Sequence, residues 1–298
     1  MIIDGLIEKI ADMKAPVCAG LDTRIEYFPD SFAKEYDLSG FTGAAAAVFE
    51  FNRVLIDALC RIVPCIKIQN AFYEMYGIPG IESYQKTIEY ARSKGMFVIA
   101  DVKRGDIGSS SAAYSAAHIG LTVLRENSER AFDSDFMTVN PYFGIDGLQP
   151  FIDDCIAYQK GIFVLVKTSN PSSCQLQDLE LESGGRVYEK VAELVDQWGR
   201  QCIGRHGYSS VGAVVGATHP QEGAVLRKNM KHTFFLLPGY GAQGASAQDV
   251  RSMLDRDGMG GIVNSSRALL LAWKAKNTAD FAAAAVEAAQ EMIDDLNA

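Results

Sequence analysis

Short apolar segments alternate with amphipathic ones along nearly the whole chain of 298 residues. The apolar segments are rich in valine and isoleucine, which is typical of buried strands, and the segments between them have helical periodicity. Because no linker or change in composition interrupts this alternation, residues 1–298 are predicted to form one α/β domain, a (β/α)8 or TIM barrel. The strands are predicted at residues 15–21, 63–69, 96–102, 135–140, 161–167, 210–216, 233–237 and 261–264.

Helices are predicted between these strands and at both ends of the chain. Residues 23–43 interrupt the pattern after the first strand, and their five aromatic side chains and several charges indicate an insertion. The alternative architecture is a doubly wound sheet, which also alternates strands with helices. The predicted helices include residues 1–13, 44–62, 81–94, 185–203, 247–256 and 280–297.

The composition limits the classes of function. A formal net charge of −9 without a basic stripe argues against a nucleic-acid surface. No apolar run reaches the roughly 20 residues of a membrane span, and the N-terminus lacks the layout of a signal peptide, so a cytoplasmic protein with no membrane partner is expected. The six cysteines form no C-x-x-C pair, which favours reduced thiols over disulfides or a zinc site.

Three ionisable residues at the end of the third strand are the strongest functional signal. The apolar strand runs directly into Asp101, Lys103 and Asp106. Charges beside a buried strand are costly unless they are paired or used in chemistry. The alternation of a strand places Asp101 and Lys103 on the same side, where the carboxylate would keep the ammonium protonated. An active site is therefore predicted to begin here.

Polar residues also follow several other predicted strands. Asp22 follows the first strand, Lys67 lies in the second, and the polar segments 167–171, 238–244 and 265–267 follow the fifth, seventh and eighth. In a (β/α)8 barrel the carboxyl ends of the strands meet at one face, which carries the catalytic residues. These side chains are therefore predicted to share one site.

The segment after the seventh strand is rich in glycine. Its Gly239-x-Gly241-x-x-Gly244 pattern matches the dinucleotide fingerprint, but that fingerprint opens a βαβ half-domain and only one predicted strand remains after it. The pattern is better interpreted as a loop whose backbone N–H groups approach a phosphate, with Arg267 adding positive charge. The predicted substrate is a phosphate monoester.

Two lysines are candidates for the chemistry. The four histidines lie neither at shared strand ends nor in metal-ligand spacing, so no metal site and no histidine triad is predicted. Lys167, at the end of the fifth strand, fits a Schiff-base aldolase that acts on a phosphosugar. Lys103, between Asp101 and Asp106, fits an acid that protonates a carbanion. The carboxylate neighbours favour the proton donor.

Six segments, in order along the chain and at matching strand ends, carry a pattern of one enzyme family. They are Gly20-Leu21-Asp22, Ala100-Asp101-Val102-Lys103-Arg104-Gly105-Asp106-Ile107-Gly108, Thr138-Val139-Asn140-Pro141-Tyr142-Phe143-Gly144, Lys167-Thr168-Ser169-Asn170-Pro171, Pro238-Gly239-Tyr240-Gly241-Ala242-Gln243-Gly244 and Asn264-Ser265-Ser266-Arg267. From Ala15 to about Leu270 the chain resembles the orotidine 5′-phosphate decarboxylase family in its longer microbial form. The resemblance implies a homodimeric barrel without a cofactor, which converts orotidine 5′-monophosphate to uridine 5′-monophosphate in the last step of de novo pyrimidine synthesis.

The resemblance also implies catalytic roles. Lys103 would donate the proton to C6 of the pyrimidine, and Asp101 would lie beside the departing CO₂ group. Lys67 and Asp106 would complete an alternating charge network. Asp106 would be contributed across the dimer interface to the partner's site.

Further residues are implied as substrate-binding. Asp22 and Lys67 would bind the ribose hydroxyls, and Ser169 the pyrimidine edge. The remaining members of this set are Ile107 and Ser110, toward the neighbouring subunit's ligand, Pro238, and the phosphate-binding Gln243 and Arg267.

Two other functions are compatible with parts of the pattern. A metal-dependent lyase acting on a sugar phosphate also uses D-x-K-x-x-D, but a metal-binding carboxylate is expected at strand two, where this chain has Lys67. A cation there would repel a divalent ion. A non-catalytic nucleotide-binding barrel would keep the phosphate loop, but it has no use for three costly charges after strand three.

Overall fold

The computed structural model describes residues 1–241 and 244–298 of the chain. Eight strands form a closed barrel in which each strand lies beside its neighbours in sequence. The prediction of a (β/α)8 barrel is confirmed, and every predicted strand lies within two residues of an observed one. The strands are β1 Val17–Leu21, β2 Cys65–Gln69, β3 Phe97–Arg104, β4 Phe136–Val139, β5 Gly161–Lys167, β6 Ser209–Val215, β7 Thr233–Pro238 and β8 Gly261–Ser265.

Helices connect the strands, and the predicted helical segments are observed with small shifts of their ends. The longer helices are Ile2–Met13, Phe41–Leu59, Gly77–Ser93, Gly108–His118, Ile145–Tyr158, Val187–Gly199, Pro220–Asn229, Ala247–Ser252 and Phe281–Asn297. Single turns of α-helix are Asp30–Ala33, Ala71–Glu74, Cys174–Gln177, Arg267–Leu270 and Ala272–Ala275, and turns of 3-10 helix are Ile25–Tyr27, Pro171–Ser173 and Arg200–Cys202. Within the described ranges, no helix combines the length and the apolar character that crossing a membrane requires.

Two features differ from the predicted pattern. The helix predicted at 247–256 ends at Ser252, because the carboxylate of Asp255 accepts the backbone N–H groups of Asp257 and Met259 and forms a turn instead. A short antiparallel hairpin of Thr122–Val123 and Ser128–Glu129 was not predicted. Its strands are exposed, so they lack the apolar pattern that marks a buried strand.

The chain divides into two compact units, the first made of Met1–Glu8 and Lys103–Asn264. In this unit Phe136 and Phe163 pack with their ring centroids 5.4 Å apart. Gly212 makes room for them, since a Cβ atom there would lie 2.6 Å from the Phe163 ring. The missing side chain therefore lets β5 and β6 pack closely around a large aromatic residue.

The second unit consists of Lys9–Val102 and Ser265–Ala298. Its helix Phe41–Leu59 buries one apolar face, on which Phe51 stacks against Phe281 at a centroid distance of 4.3 Å. Phe28 and Phe32 of the insertion pack against the same Phe51 ring at 4.9 and 5.5 Å. The insertion, for which the sequence predicted no role, is therefore a structural element of this unit. The domain boundaries at residues 1–298 stay a prediction.

Substitution of Phe51 tests this aromatic cluster. Phe51→Ala should lower the free energy of unfolding by about 3–5 kcal/mol, because it leaves a cavity among three other rings. Phe41→Ala makes the same chemical change on the same helix at a position that is 63% exposed, and it should cost less than about 1 kcal/mol. Urea denaturation measures both. Equal losses for the two variants would contradict a packing role for the cluster.

Candidate active site

A buried ion network lies at the ends of β1, β2 and β3 in the second unit. The Nζ atom of Lys67 is 2.8 Å from Oδ2 of Asp101 and 3.3 Å from Oδ1 of Asp22. Gln69 donates a hydrogen bond from Nε2 to the same Asp101 oxygen at 3.2 Å. Lys67 and Asp101 are 5% and 6% exposed. The structure thus brings together three of the residues predicted from strand ends.

The charge state of Lys67 follows from its neighbours. Burial alone would lower the pKa of Lys67, but the carboxylates of Asp101 and Asp22 outweigh burial, and the pKa rises above its usual range. Lys67 is therefore a fixed cation at neutral pH. It neutralises part of the negative charge of Asp101 and Asp22 and restricts where their oxygens point.

A second buried chain of hydrogen bonds supports Asp22. The residue after it, Thr23, donates from Oγ1 to Oδ1 of Asn52 at 2.5 Å, and Asn52 donates from Nδ2 to the hydroxyl of Tyr73 at 2.7 Å. Thr23, Asn52 and Tyr73 are fully buried. Burial raises the pKa of the Tyr73 hydroxyl, so this group stays neutral. These linked hydrogen bonds fix the backbone beside Asp22.

The end of β3 carries Lys103, which has an unusual backbone conformation. Its φ angle is +47°, in the left-handed region that non-glycine residues rarely adopt. Its backbone N–H donates to Oγ1 of Thr138 at 2.9 Å. That Asp101 and Lys103 lie on the same side stays a prediction. Asp101 is buried, whereas the side chain of Lys103 is exposed.

Asp106 and the residues after it lie in the first unit. The half-buried Asp106 accepts the backbone N–H of Ile107 at Oδ1, 2.8 Å away, and its carbonyl accepts the hydroxyl of Ser111 at 2.6 Å. Ile107 is 58% exposed, and Ser110 is also exposed. Ile107 and Ser110 therefore lie at the surface, whereas Asp106 is partly covered.

The end of β5 gives the two candidate residues there different environments. Lys167 is fully buried, and its Nζ atom lies 2.5 Å from Oδ1 of Asp178 and 5.1 Å from the centre of the Tyr188 ring. Ser169 is half-buried. A Schiff-base lysine needs a free amine within reach of a substrate carbonyl. The amine of Lys167 is instead paired with Asp178, which argues against the Schiff-base aldolase.

Three described glycines lie in the glycine-rich segment after β7. Gly239, Gly241 and Gly244 have φ angles of +110°, +66° and +99°, conformations that favour glycine. β8 is the only strand that follows the loop in the part of the chain that is described, as the rejection of a dinucleotide fold requires. Pro238 is half-buried at the end of β7. Gln243 lies outside the described residues.

Arg267 occupies the predicted position after β8. It is the first residue of the short helix Arg267–Leu270, and its side chain is exposed.

Some of the residues that shape the site were not predicted from the sequence. Gln69 lies two positions after Lys67 in β2, so the alternation of the strand could have identified it. Thr138 lies within a recognised segment, but its contact with Lys103 depends on how β4 is placed. Asn52 and Asp178 carry no local signal, because their partners are distant in the chain. No group of three or more His, Cys, Asp or Glu side chains among residues 1–241 and 244–298 is arranged to hold a metal ion.

Comparison with known proteins agrees with these features. The model of the Orotidine 5'-phosphate decarboxylase / HUMPS family matches residues 16–281. An orotidine 5'-phosphate decarboxylase of Clostridium acetobutylicum is 44% identical over 274 residues, 92% of this chain and 90% of the relative. One of Caldicellulosiruptor bescii is 43% identical over 298 residues, 99% of this chain and 97% of the relative. The solved structure of Leishmania donovani OMP decarboxylase has a TM-score of 0.75 and 30% identity, covering 100% of this chain and 99% of that one. The chain belongs to the orotidine 5'-phosphate decarboxylase / HUMPS family.

Proposed function

We propose that this enzyme converts orotidine 5′-monophosphate to uridine 5′-monophosphate, the last step of de novo pyrimidine synthesis. The proposal rests on the buried ion pair between Lys67 and Asp101, whose atoms are 2.8 Å apart, and on Lys103, which follows Asp101 on β3. Relatives that are 43–46% identical bear the name of this decarboxylase. The cytoplasmic location expected from the sequence belongs to this proposal.

Lys103 and Asp101 divide the chemistry in the proposed reaction. The bond between C6 and the carboxylate carbon breaks, CO₂ leaves, and the electron pair stays on C6 as a carbanion. The Lys103 ammonium stabilises this charge and gives C6 a proton, and water then restores the proton of Lys103. Asp101, held by Lys67 and Gln69, lies beside the leaving carboxylate. The ammonium of Lys103 thus stabilises the carbanion, a role that an electron-withdrawing cofactor has in other enzymes.

The remaining residues bind the substrate in this proposal. Asp22 and Lys67 contact the ribose hydroxyls, and Ser169 contacts the pyrimidine edge. The phosphate binds at the glycine-rich loop after β7, where Pro238 and Gln243 lie, and at Arg267. Binding energy from the phosphate holds the site in its reactive arrangement without acting on the reacting carbon.

The Lys67 cation is an argument against a metal-dependent lyase. Its ammonium lies within 3.3 Å of both Asp22 and Asp101, so a divalent ion at these carboxylates would meet a fixed positive charge. The description of the matched family also names HUMPS. A direct assay of orotidine 5′-monophosphate as the substrate is therefore informative.

Turnover in the presence of a chelator tests the proposed reaction. Purified enzyme should decarboxylate orotidine 5′-monophosphate at the same rate with and without an excess of EDTA, because no step uses a metal. The loss of the substrate's ultraviolet absorbance measures the rate. Absence of turnover, or its loss with EDTA and recovery with Mg²⁺, would contradict the proposal. The first result would instead support a non-catalytic nucleotide-binding protein.

Replacement of Lys103 tests its role as the proton donor. Lys103→Ala should lower kcat by at least about a thousandfold, while calorimetry should show that uridine 5′-monophosphate still binds. Lys190→Ala removes an exposed lysine on an outer helix, and its kcat should stay within about twofold of wild type. If Lys103→Ala kept more than about a tenth of the wild-type kcat, Lys103 would not have this role.

A homodimer with shared sites is the second part of the proposal. Ile107, Tyr142 and Phe143 are 58%, 78% and 47% exposed, so the segments after β3 and β4 present apolar side chains to solvent. The two segments are adjacent, since a Cβ atom on Gly147 would lie 2.7 Å from Phe143 and 2.8 Å from the Asp106 carbonyl. An apolar patch of this kind supports an interface with a second copy. Asp106, Ile107 and Ser110 would then reach the partner's ligand.

Mixing of two inactive variants tests the shared site. Asp106→Ala and Lys103→Ala subunits should regain activity when combined, because one site of each mixed dimer then carries neither change. Equal amounts give about half mixed dimers, so about a quarter of the wild-type activity should return. Mass spectrometry monitors subunit exchange. Exchange without recovered activity would mean that Asp106 serves the site of its own chain.

A further inference from the structure

Lys167 is a buried charged residue that the proposed reaction does not use. It is the last residue of β5 and is 0% exposed, and its ion pair with Asp178 is 2.5 Å long. Asp178 follows the helical turn Cys174–Gln177, so it reaches back to the strand from the far end of the connecting segment. A lysine without water contact is costly unless a partner compensates it. The ion pair therefore holds residues 168–178 against the end of β5.

Gln177 holds the same segment through hydrogen bonds to Thr168. Its Oε1 accepts the backbone N–H of Thr168 at 3.0 Å, and its Nε2 donates to Oγ1 of Thr168 at 2.7 Å. The Thr168 hydroxyl in turn donates to Oδ1 of Asn170 at 2.7 Å. These bonds hold the two residues on either side of Ser169, so the backbone of Ser169 has little freedom to move.

The segment after β6, the strand next to β5, makes a further contact with Ser169. Gly216 follows β6 and donates its backbone N–H to the Lys167 carbonyl at 2.7 Å. A Cβ atom on Gly216 would lie 2.9 Å from both the N and Cα atoms of Ser169. The φ angle of Gly216 is outside the left-handed region, so only this contact excludes a side chain. Thr218 adds a longer hydrogen bond, 3.4 Å, to the Ser169 carbonyl.

We propose that Lys167, Asp178, Gln177 and Gly216 are positioning residues that hold Ser169 at the place where it recognises the pyrimidine edge of the nucleotide. This inference rests on the proposed function, in which Ser169 contacts the base. The Lys167–Asp178 pair provides rigidity from one side and the bare Gly216 backbone from the other. In the proposed function the sugar and the phosphate are bound by other residues, so the effect of these four residues should be specific to the base.

Binding of two ligands separates this role from a general structural one. The double variant Lys167→Met with Asp178→Asn removes both charges, so no isolated buried charge remains. It should weaken the binding of uridine 5′-monophosphate by about tenfold or more and leave ribose 5-phosphate, which lacks the base, within about twofold. Inhibition constants against orotidine 5′-monophosphate measure both affinities. Equal weakening of the two ligands, or no weakening of either, would overturn the inference.

A matched control uses the other end of the same strand. Lys160 directly precedes β5, is 4% exposed and pairs with Asp133 at 2.9 Å. Lys160 also lies 3.6 Å from the buried Asp135. Lys160→Met with Asp133→Asn and Asp135→Asn therefore removes the buried charges at this end of the strand, and it should leave the ratio of the two affinities unchanged. A shift of that ratio equal to the shift caused by the Lys167 variant would overturn the inference.

Gly216→Ala provides a variant that leaves the ion pair intact. It should also weaken uridine 5′-monophosphate selectively, because the new methyl group displaces Ser169. In a Ser169→Ala background, neither Gly216→Ala nor the Lys167 double variant should cause additional loss, since both act through Ser169. Additive losses would overturn the inference. Failure of the wild-type enzyme to decarboxylate orotidine 5′-monophosphate is a separate result, and it would overturn the proposed function itself.

Discussion

The arrangement of the strand ends depends on the ion pairs that the buried Lys67 forms with Asp101 and Asp22. Removal of two charges from water costs several kcal/mol per ion, and only close contacts with further hydrogen bonds compensate for it. Here Lys67 has two carboxylates, and Asp101 has a second donor in Gln69. Loss of Lys67 would remove the compensating positive charge from both carboxylates, so Lys67 ties β1, β2 and β3 together where the proposed chemistry takes place.

Backbone strain at Lys103 adds a second constraint on the same strand. A non-glycine residue in the left-handed region costs about 1–2 kcal/mol, and such strain persists where the surrounding structure fixes it. The hydrogen bond from the Lys103 backbone to Thr138 provides that fixation. The strand thus carries the buried residue Asp101 and, two positions later, Lys103 with a fixed backbone. Fixed charges of this kind need little reorganisation during a reaction.

The architecture was predictable from the sequence because it depends on local periodicity. Each buried strand is a short run of β-branched residues between helical segments, and the eight predicted strands agree with the observed ones. The hairpin of Thr122–Val123 and Ser128–Glu129 was missed because exposed strands lack that pattern. The role of the insertion was missed because the packing of Phe28 and Phe32 on Phe51 joins segments that are distant in sequence.

For the site, the order of residues along the chain was enough to identify the chemical groups at the strand ends, including Asp22, Lys67, Asp101 and Lys167. Covalent order and strand periodicity are enough for that. Their partners, such as Asp178 for Lys167 and Asn52 beside Asp22, and the left-handed backbone of Lys103 are known only from the folded structure. A hydrogen bond or ion pair requires atoms to approach within a few tenths of an ångström of one distance. That distance is set by how loops fold back on the strands, which the pattern of residues along the chain does not specify.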